Sequence, residues 1–334
     1  APSPLRTRLG CRGGRAIWRY TLVPRRRGRV PLGPLVVRIE GPLGLAVSQR
    51  NIEAAAVVRV LPQVRWEGRV GYFLKLAHQR QLGQNPFAQV GDGVEPYALR
   101  EYRSGDPRSR VHWKASARRA HLVSREDTWE RGVQLSILLD CGRSMASMDG
   151  ERGKLDWALA AVLALARVAA GRGDRVTIVA FSDRVLRTVK VRPGARGASA
   201  AYDALFDLEA ERVESAYDEA VRAIERAGSP PAVALLLTSV VDIAAADSVQ
   251  SALAFLARRH RTLLLNLSDP DLERLARAEG RDSLEALVKT GALGIMAGNR
   301  RLSLSLRHAG ITVANAPSRD LAAEALRAYL QRVR

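Results

Sequence analysis

Cysteine, lysine and aromatic residues are scarce in this chain, and each scarcity removes a class of protein. Two cysteines, Cys11 and Cys141, cannot build a disulfide framework, and their separation offers no metal-ligand spacing; a reducing compartment is expected. Aromatics make up 5% of the residues. Trp18, Tyr20, Trp66, Tyr72 and Phe73 are thinly spread among many arginines, which is not the interleaving that stacks nucleic-acid bases. No apolar run approaches the roughly 18 residues that would cross a bilayer. Gly150-x-x-Gly153-Lys154-Leu155 has neither the spacing nor the hydroxyl of a phosphate-binding loop. There is no Gly-x-Ser-x-Gly elbow and no His-Glu-x-x-His helix. The five histidines, His78, His112, His121, His260 and His308, are scattered.

What the chain does have is positive charge, unevenly placed. The formal net charge is +19. Residues 1–130 carry 24 Arg/Lys against 10 Asp/Glu, a net of +14, and the remainder carries 29 against 24, a net of +5. Only Lys75, Lys114, Lys154, Lys190 and Lys289 are lysines, so an arginine-rich bias accounts for part of this. A basic half beside a near-neutral half calls for an anionic partner. Its densest cluster is Arg25, Arg26, Arg27 and Arg29. The chain begins at Ala1 without an initiator methionine, and the expectation is a fragment whose anchor precedes Ala1.

The hydrophobic fraction of 47% suffices for a sizeable core. Residues 16–66 read as short β-runs punctuated by Gly28, Gly33-Pro34, Gly41-Pro42 and Gly44, a hairpin-rich pattern. Residues 70–82 read as helix, 83–93 as linker and 96–132 as a mixed, charged segment. From Val133 strands and helices alternate. The strands fall at 133–140, 175–181, 185–191, 232–238, 261–267 and 311–314. The helices fall at 154–171, 197–209, 215–227, 246–259, 270–279, 282–297 and 318–332. Leu155, Leu159, Val162, Leu163 and Ala166 form a stripe of helical period. The strands at 133–139 and 232–237 are nearly all apolar, as strands covered on both faces are. The expected fold is α/β: a doubly wound, mostly parallel sheet with helices on both faces, preceded by a smaller antiparallel β domain. Its parts are a basic β-rich domain at 1–68, a connecting segment at 69–132 and the α/β domain at 133–334.

The strand at 134–139 delivers Asp140-Cys141-Gly142-Arg143-Ser144 into a loop before a long helix. This resembles the metal-ion-dependent adhesion site (MIDAS) of von Willebrand factor type A (vWA) domains, where the pattern is Asp-x-Ser-x-Ser. Oxygens gathered at a strand's carboxyl end suit Mg²⁺, and ligands of open α/β sheets bind there. Asp140 and Ser144 match the pattern, whereas Gly142 has no oxygen to give. The resemblance implies a second-loop threonine, and near 194–199 the only hydroxyl is Ser199. It also implies an aspartate after Thr238, where Ser239 stands; Asp242 lies three residues on. The expectation is a degenerate site at Asp140, Ser144 and Asp242 that binds Mg²⁺ weakly, with Asp140 and Ser144 bonding the loop backbone.

The stretch Glu101-Tyr102-Arg103-Ser104-Gly105-Asp106-Pro107-Arg108-Ser109-Arg110-Val111-His112-Trp113-Lys114-Ala115-Ser116-Ala117-Arg118 resembles the signature of the bacterial domain-of-unknown-function 58 family. That signature reads Tyr-x-x-Gly-Asp, then Arg-x-Ile-His-Trp-Lys-x-Ser-Ala-Arg, with Val111 here in place of Ile. Residues 20–29 and 41–45 are similar to that family too. The resemblance implies a vWA-like domain at the cytoplasmic face of the bacterial inner membrane. It also implies membrane helices upstream, MoxR-type AAA+ ATPases as partners, and no established catalytic activity. Read physically, Gly105-Asp106-Pro107 is a turn. Trp113 supplies a large surface expected to pack on the α/β domain, and Arg110, Lys114 and Arg118 are able to pair with carboxylates or phosphates. Tyr102, His112 and Ser116 complete an interaction segment in which His112 is a hydrogen-bonded packing residue.

The expected function is therefore a non-catalytic, chaperone-like adaptor without a firmly bound cofactor. It would be membrane-associated through Arg25, Arg26, Arg27 and Arg29 and would work with a MoxR-type ATPase. The alternative is a nucleic-acid-binding protein using the basic half, which the sparse aromatics disfavour. A metal-dependent hydrolase is the third reading, and it lacks carboxylate and histidine clusters.

Overall fold

The computed structural model describes residues 21–24, 26–41, 45–64, 68, 71–72, 90–102, 111–119, 121–128, 133–227, 233–240, 243–279 and 282–332. The chain divides into two compact units, Ala1–Leu61 and Pro62–Arg334.

In the first unit, β1 (Gly28–Leu32) pairs antiparallel with β4 (Ala56–Val60), and β2 (Leu35–Glu40) with β3 (Val47–Ile52). Arg38 and Gln49 face one another in register, and Arg38 Nε donates to Gln49 Oε1 at 2.9 Å. Gly33, between β1 and β2, has φ +111°, and a Cβ there would press on the Ala54 carbonyl at 2.7 Å, so only glycine suits the turn. Residues 21–23, expected within a run starting at Ala16, carry no strand.

The second unit opens with β5 (Val90–Glu101), α1 (Trp113–Arg119) and β6 (Val123–Thr128), in which β5 and β6 pair antiparallel. The expected helix at 70–82 falls mostly outside the described residues. The chain then enters the main sheet with β7 (Gln134–Asp140), and a small hairpin, β8 (Met148–Asp149) and β9 (Arg152–Gly153), leads to α2 (Lys154–Gly171). There follow β10 (Arg175–Phe181), β11 (Val185–Val191), α3 (Ala195–Leu205), α4 (Tyr217–Arg226) and β12 (Val233–Thr238). The rest is α5 (Ile243–Ala257), β13 (Arg261–Ser268), α6 (Pro270–Arg277), α7 (Ser283–His308), β14 (Thr312–Pro317) and α8 (Leu321–Arg332).

The six-stranded sheet has the order β11-β10-β7-β12-β13-β14 and is parallel except for the edge strand β11. It is the doubly wound, mostly parallel sheet expected from the alternation. Its faces are set by the two-residue period of the strands. Leu135, Ile137 and Leu139 of β7 join the core with α2, α3 and α8, while Leu138 points to the core of α4, α5 and the end of α7. Helix α2 is buried almost all round and rich in alanine, which lets it lie against both the sheet and α8. Each fully buried leucine contributes roughly 1.5–3 kcal/mol. From β7 the chain first goes to β10 and later returns to β12 on the other side. The order therefore reverses at β7, which puts Asp140 at the switch point where such sheets bind ligands. No helix among the described residues is long and apolar enough to cross a membrane.

Candidate functional site

Asp140, the last residue of β7, is fully buried, and both of its carboxylate oxygens are occupied. Oδ1 accepts from the Gly142 amide at 2.8 Å and from Ser215 Oγ at 2.6 Å. Oδ2 accepts from Thr238 Oγ1 at 2.5 Å and Tyr217 Oη at 3.0 Å. The Tyr217 and Thr238 hydroxyls are themselves 3.0 Å apart. A buried carboxylate needs such donors to offset its lost hydration. Burial, and next the Asp140 charge, push the Tyr217 phenol far above its ordinary range, so it remains a protonated donor.

The donors come from three loops. Gly142 follows β7, Thr238 ends β12, and Ser215 with Tyr217 lies where α4 begins. Backbone bonds hold that last segment in place: Arg143 N–H to Val213 O at 2.9 Å, Glu211 N–H to Cys141 O at 2.7 Å, and Ala216 N–H to Ser182 O at 2.7 Å. Glu211 also accepts from Ser182 Oγ at 2.7 Å and from Arg184 at 2.8 Å. Phe181 packs edge-on against Tyr217, with ring centroids 5.5 Å apart.

The loop hydroxyl on Asp140 does not come from 194–199. Ser199 bonds its own helix at Ala195 O, and the loop hydroxyl on Asp140 is Ser215. Its separation from Asp140 by 75 residues and a loop without regular pattern hid it from sequence reasoning. A Cβ on Gly142 would collide with Ser215 Oγ and sit 3.0 Å from Val213 O. Ser144 lies in the short helical turn after Gly142, on a small cleft of about 30 Å³ shared with Arg143, Glu214, Ser215, Tyr217, Ala245 and Ser248. Arg143 and Glu214 pair across its rim at 2.9 Å. Asp242 lies outside the described residues.

A second buried polar group sits beside Ser239. The Lys154 side chain, 1% exposed at the start of α2, reaches Asp269 Oδ2 at 2.9 Å and Ser239 Oγ at 3.3 Å. Asp269 also caps α6 by accepting from Asp271 N–H at 2.9 Å. Burial pushes the Asp269 carboxyl up, but the Lys154 ammonium and the amides of Asp271 and Leu272 outweigh it and hold it below the usual range.

These residues do not fit a divalent cation. Asp140 already accepts four hydrogen bonds, Gly142 has no side-chain oxygen, Ser239 has a hydroxyl where the metal pattern has a carboxylate, and a buried ammonium stands at Ser239. Mg²⁺ requires near-octahedral oxygen ligands. Among the described residues no three His, Cys, Asp or Glu side chains converge as a metal site.

The signature segment is described from Val111 onward, with Tyr102 before it; Gly105, Asp106 and Arg110 lie outside the described residues. His112 precedes α1, and its Nδ1 accepts from Ala115 N–H at 3.1 Å. Ser116 is buried against β6, where its Oγ accepts from Val123 N–H at 2.9 Å and donates to His112 O at 3.1 Å. Tyr102 N–H donates to Leu122 O at 2.9 Å. Trp113 corrects the sequence reading: it is 67% exposed rather than packed on the domain. Helix α1 is seven residues long and Ser116 is its one buried position. Lys114 and Arg118 are exposed beside Trp113. In the first unit Arg26 and Arg29 are exposed and Arg27 is half-buried; Arg25 lies outside the described residues.

Among solved structures, the chain is similar to the conserved hypothetical protein BatB from Bacteroides thetaiotaomicron, at 16% identity and a TM-score of 0.39, over 60% of this chain and 98% of that one. It is similar to the SpRpn10 VWA domain at 8% identity and a TM-score of 0.37, over 58% and 93%. It is also similar to proximal thread matrix protein 1 from the mussel byssus, whose structure has a zinc-occupied MIDAS motif, at 9% identity and a TM-score of 0.30, over 58% and 46%. No curated protein matches the sequence. The profile of the family described as "Protein of unknown function DUF58" matches residues 98–301.

Proposed function

The chain belongs to the DUF58 family, and from that premise we propose that it is a non-catalytic protein-interaction module that works with a MoxR-type AAA+ ATPase in assembly or envelope maintenance. The observation that carries this reading is the closed state of Asp140. A carboxylate that accepts hydrogen bonds from Gly142, Ser215, Tyr217 and Thr238 has no lone pair aimed at a substrate or metal. It joins three loops into one rigid edge at the sheet's switch point, and a preformed edge of this kind suits recognition of a folded partner. No cofactor is proposed, and Mg²⁺ binds at most weakly. The proposed location is the cytoplasmic face of the inner membrane, where Arg26, Arg27 and Arg29 contribute roughly 1 kcal/mol each on an anionic leaflet.

Co-purification of the full chain with the MoxR-type ATPase tests the partnership. Association that survives 150 mM salt, on the order of physiological ionic strength, is the expected result; its absence, or sequence-dependent nanomolar binding to duplex DNA, overturns the reading.

A further inference from the structure

The family signature places its tryptophan side chain on the surface. Trp113 is 67% exposed, and Leu122, which follows α1, is 47% exposed. On α1, Trp113 and Ala117 lie one turn apart and are both exposed. Lys114 and Arg118 are also one turn apart, on the adjoining face, and exposed, and Arg119 adds a third cation. Helix α1 has no acidic residue. Tryptophan and arginine are among the residues enriched where interfaces are anchored.

The same segment is fixed from below. His112 Nδ1 holds the Ala115 amide, and Ser116 Oγ bridges His112 O and the Val123 amide on β6. A helix held this way presents its side chains without further ordering on binding. Fixation of this kind suits a protein partner. A membrane-surface helix needs a long apolar face, whereas α1 is seven residues long with one large apolar side chain. A single-stranded nucleic acid needs successive aromatic platforms, and α1 offers one.

Resting on the reading of the chain as an interaction module, we propose that the face formed by Trp113, Ala117, Lys114 and Arg118 docks an acidic protein segment, with an aliphatic side chain set against the indole and flanking carboxylates paired to Lys114 and Arg118.

The test is a titration of the full chain with a fluorescently labelled synthetic peptide of alternating glutamate and leucine, with phosphatidylserine vesicles and a single-stranded oligonucleotide in parallel. The expected result is salt-sensitive binding of the peptide that Trp113→Ala weakens about tenfold or more, and that Lys114→Glu with Arg118→Glu abolishes. Melting temperature and circular dichroism should stay those of the parent. Peptide binding that is absent, or equal in the variants, overturns the proposal, as does Trp113-dependent binding of the vesicles or the oligonucleotide in place of the peptide. If the peptide binds as expected and the ATPase does not, the adaptor reading falls and the docking face stands. If the ATPase binds and Trp113→Ala leaves that unchanged, the docking face falls alone.

Discussion

Ser215 Oγ occupies the space that a side chain on Gly142 would need. Gly142 itself has an ordinary extended backbone, with φ −79° and ψ −169°, so the glycine is required by space and not by conformation. A hydroxyl absent at 142 is supplied from the loop before α4, and it is spent on Asp140 as a hydrogen-bond donor.

From this relationship follows the behaviour of Gly142→Ser. Restoring the serine of the metal pattern should not restore metal binding, because the new side chain must displace Ser215 or the Val213 carbonyl. The expected outcome is a loss of about 1–3 kcal/mol, the cost of overfilling a packed site, with no response to Mg²⁺. Thermal melting and calorimetric titration check both parts. A melting temperature that rises with Mg²⁺ would show that the loop can open to a metal.

Asp140 provides the matching experiment from the other side. Asp140→Ala leaves the Ser215, Tyr217 and Thr238 hydroxyls and the Gly142 amide without their acceptor. A single orphaned buried group costs about 1–3 kcal/mol, so the variant should be among the most destabilised in the chain. The loss should be the same in EDTA and in Mg²⁺. A loss seen only with metal present would contradict the closed-site reading.

Much of the fold was legible because it rests on local pattern. The apolar runs of β7 and β12 are buried on both faces, and the stripe on α2 is core. The sequence pattern predicts α7 to 297, and the helix continues to His308. Gly298, Arg300 and Arg301 interrupt its apolar pattern, while the buried Leu302 and Leu306 carry it on. Around Asp140, the sequence pattern marks Gly142, Ser144 and Thr238. Ser215 and Tyr217 are brought to Asp140 by tertiary structure across more than 70 residues, and nothing in their neighbours' spacing marks them. Lys154 read as the first residue of a helix, and its pairing with Asp269 spans 115 residues. The size of Trp113 alone predicts burial, and size says nothing of whether a seven-residue helix has room to bury it.

The signature segment should divide sharply under mutation. Ser116→Ala orphans the Val123 amide at a buried position and should cost about 1–3 kcal/mol. Trp113→Ala, three residues earlier and exposed, should stay within about 0.5 kcal/mol of the parent. Denaturant melts of the two variants check the contrast, and equal losses would mean that Trp113 is covered in solution.

Lys154 and Asp269 predict an acid-side effect. The folded state holds the Asp269 carboxyl low, so its contribution is present above the ordinary aspartate value of about 3.9 and is lost as pH falls through the depressed one. Lys154→Met should lower stability at neutral pH by about 1–3 kcal/mol, less than the ~3–5 kcal/mol of a fully buried pair because Asp269 is partly exposed. It should also flatten the loss of stability below about pH 4. Melting curves from pH 3 to 7, on the order of the range that spans carboxylate titration, provide the measurement. Parallel acid limbs in parent and variant would dissociate the pair from acid stability.

Tyr217 makes the opposite prediction at the alkaline end. Its phenol is raised above the ordinary value of 10.0, first by burial and then by the Asp140 charge, so the folded state favours the protonated form. For a group raised in this way the stabilisation is complete below the unfolded value and is lost as pH climbs from there toward the folded one. Stability should therefore fall above about pH 10, with a slope that includes one proton released on unfolding from this residue. Tyr217→Phe keeps the ring and its edge-on contact with Phe181 while removing the hydroxyl. It should cost about 1 kcal/mol at neutral pH and lessen the alkaline slope by that one proton. Denaturant midpoints measured from pH 8 upward, roughly two units below the phenol's ordinary value, decide it. A slope unchanged in the variant would mean that the Tyr217 hydroxyl is not held protonated against Asp140.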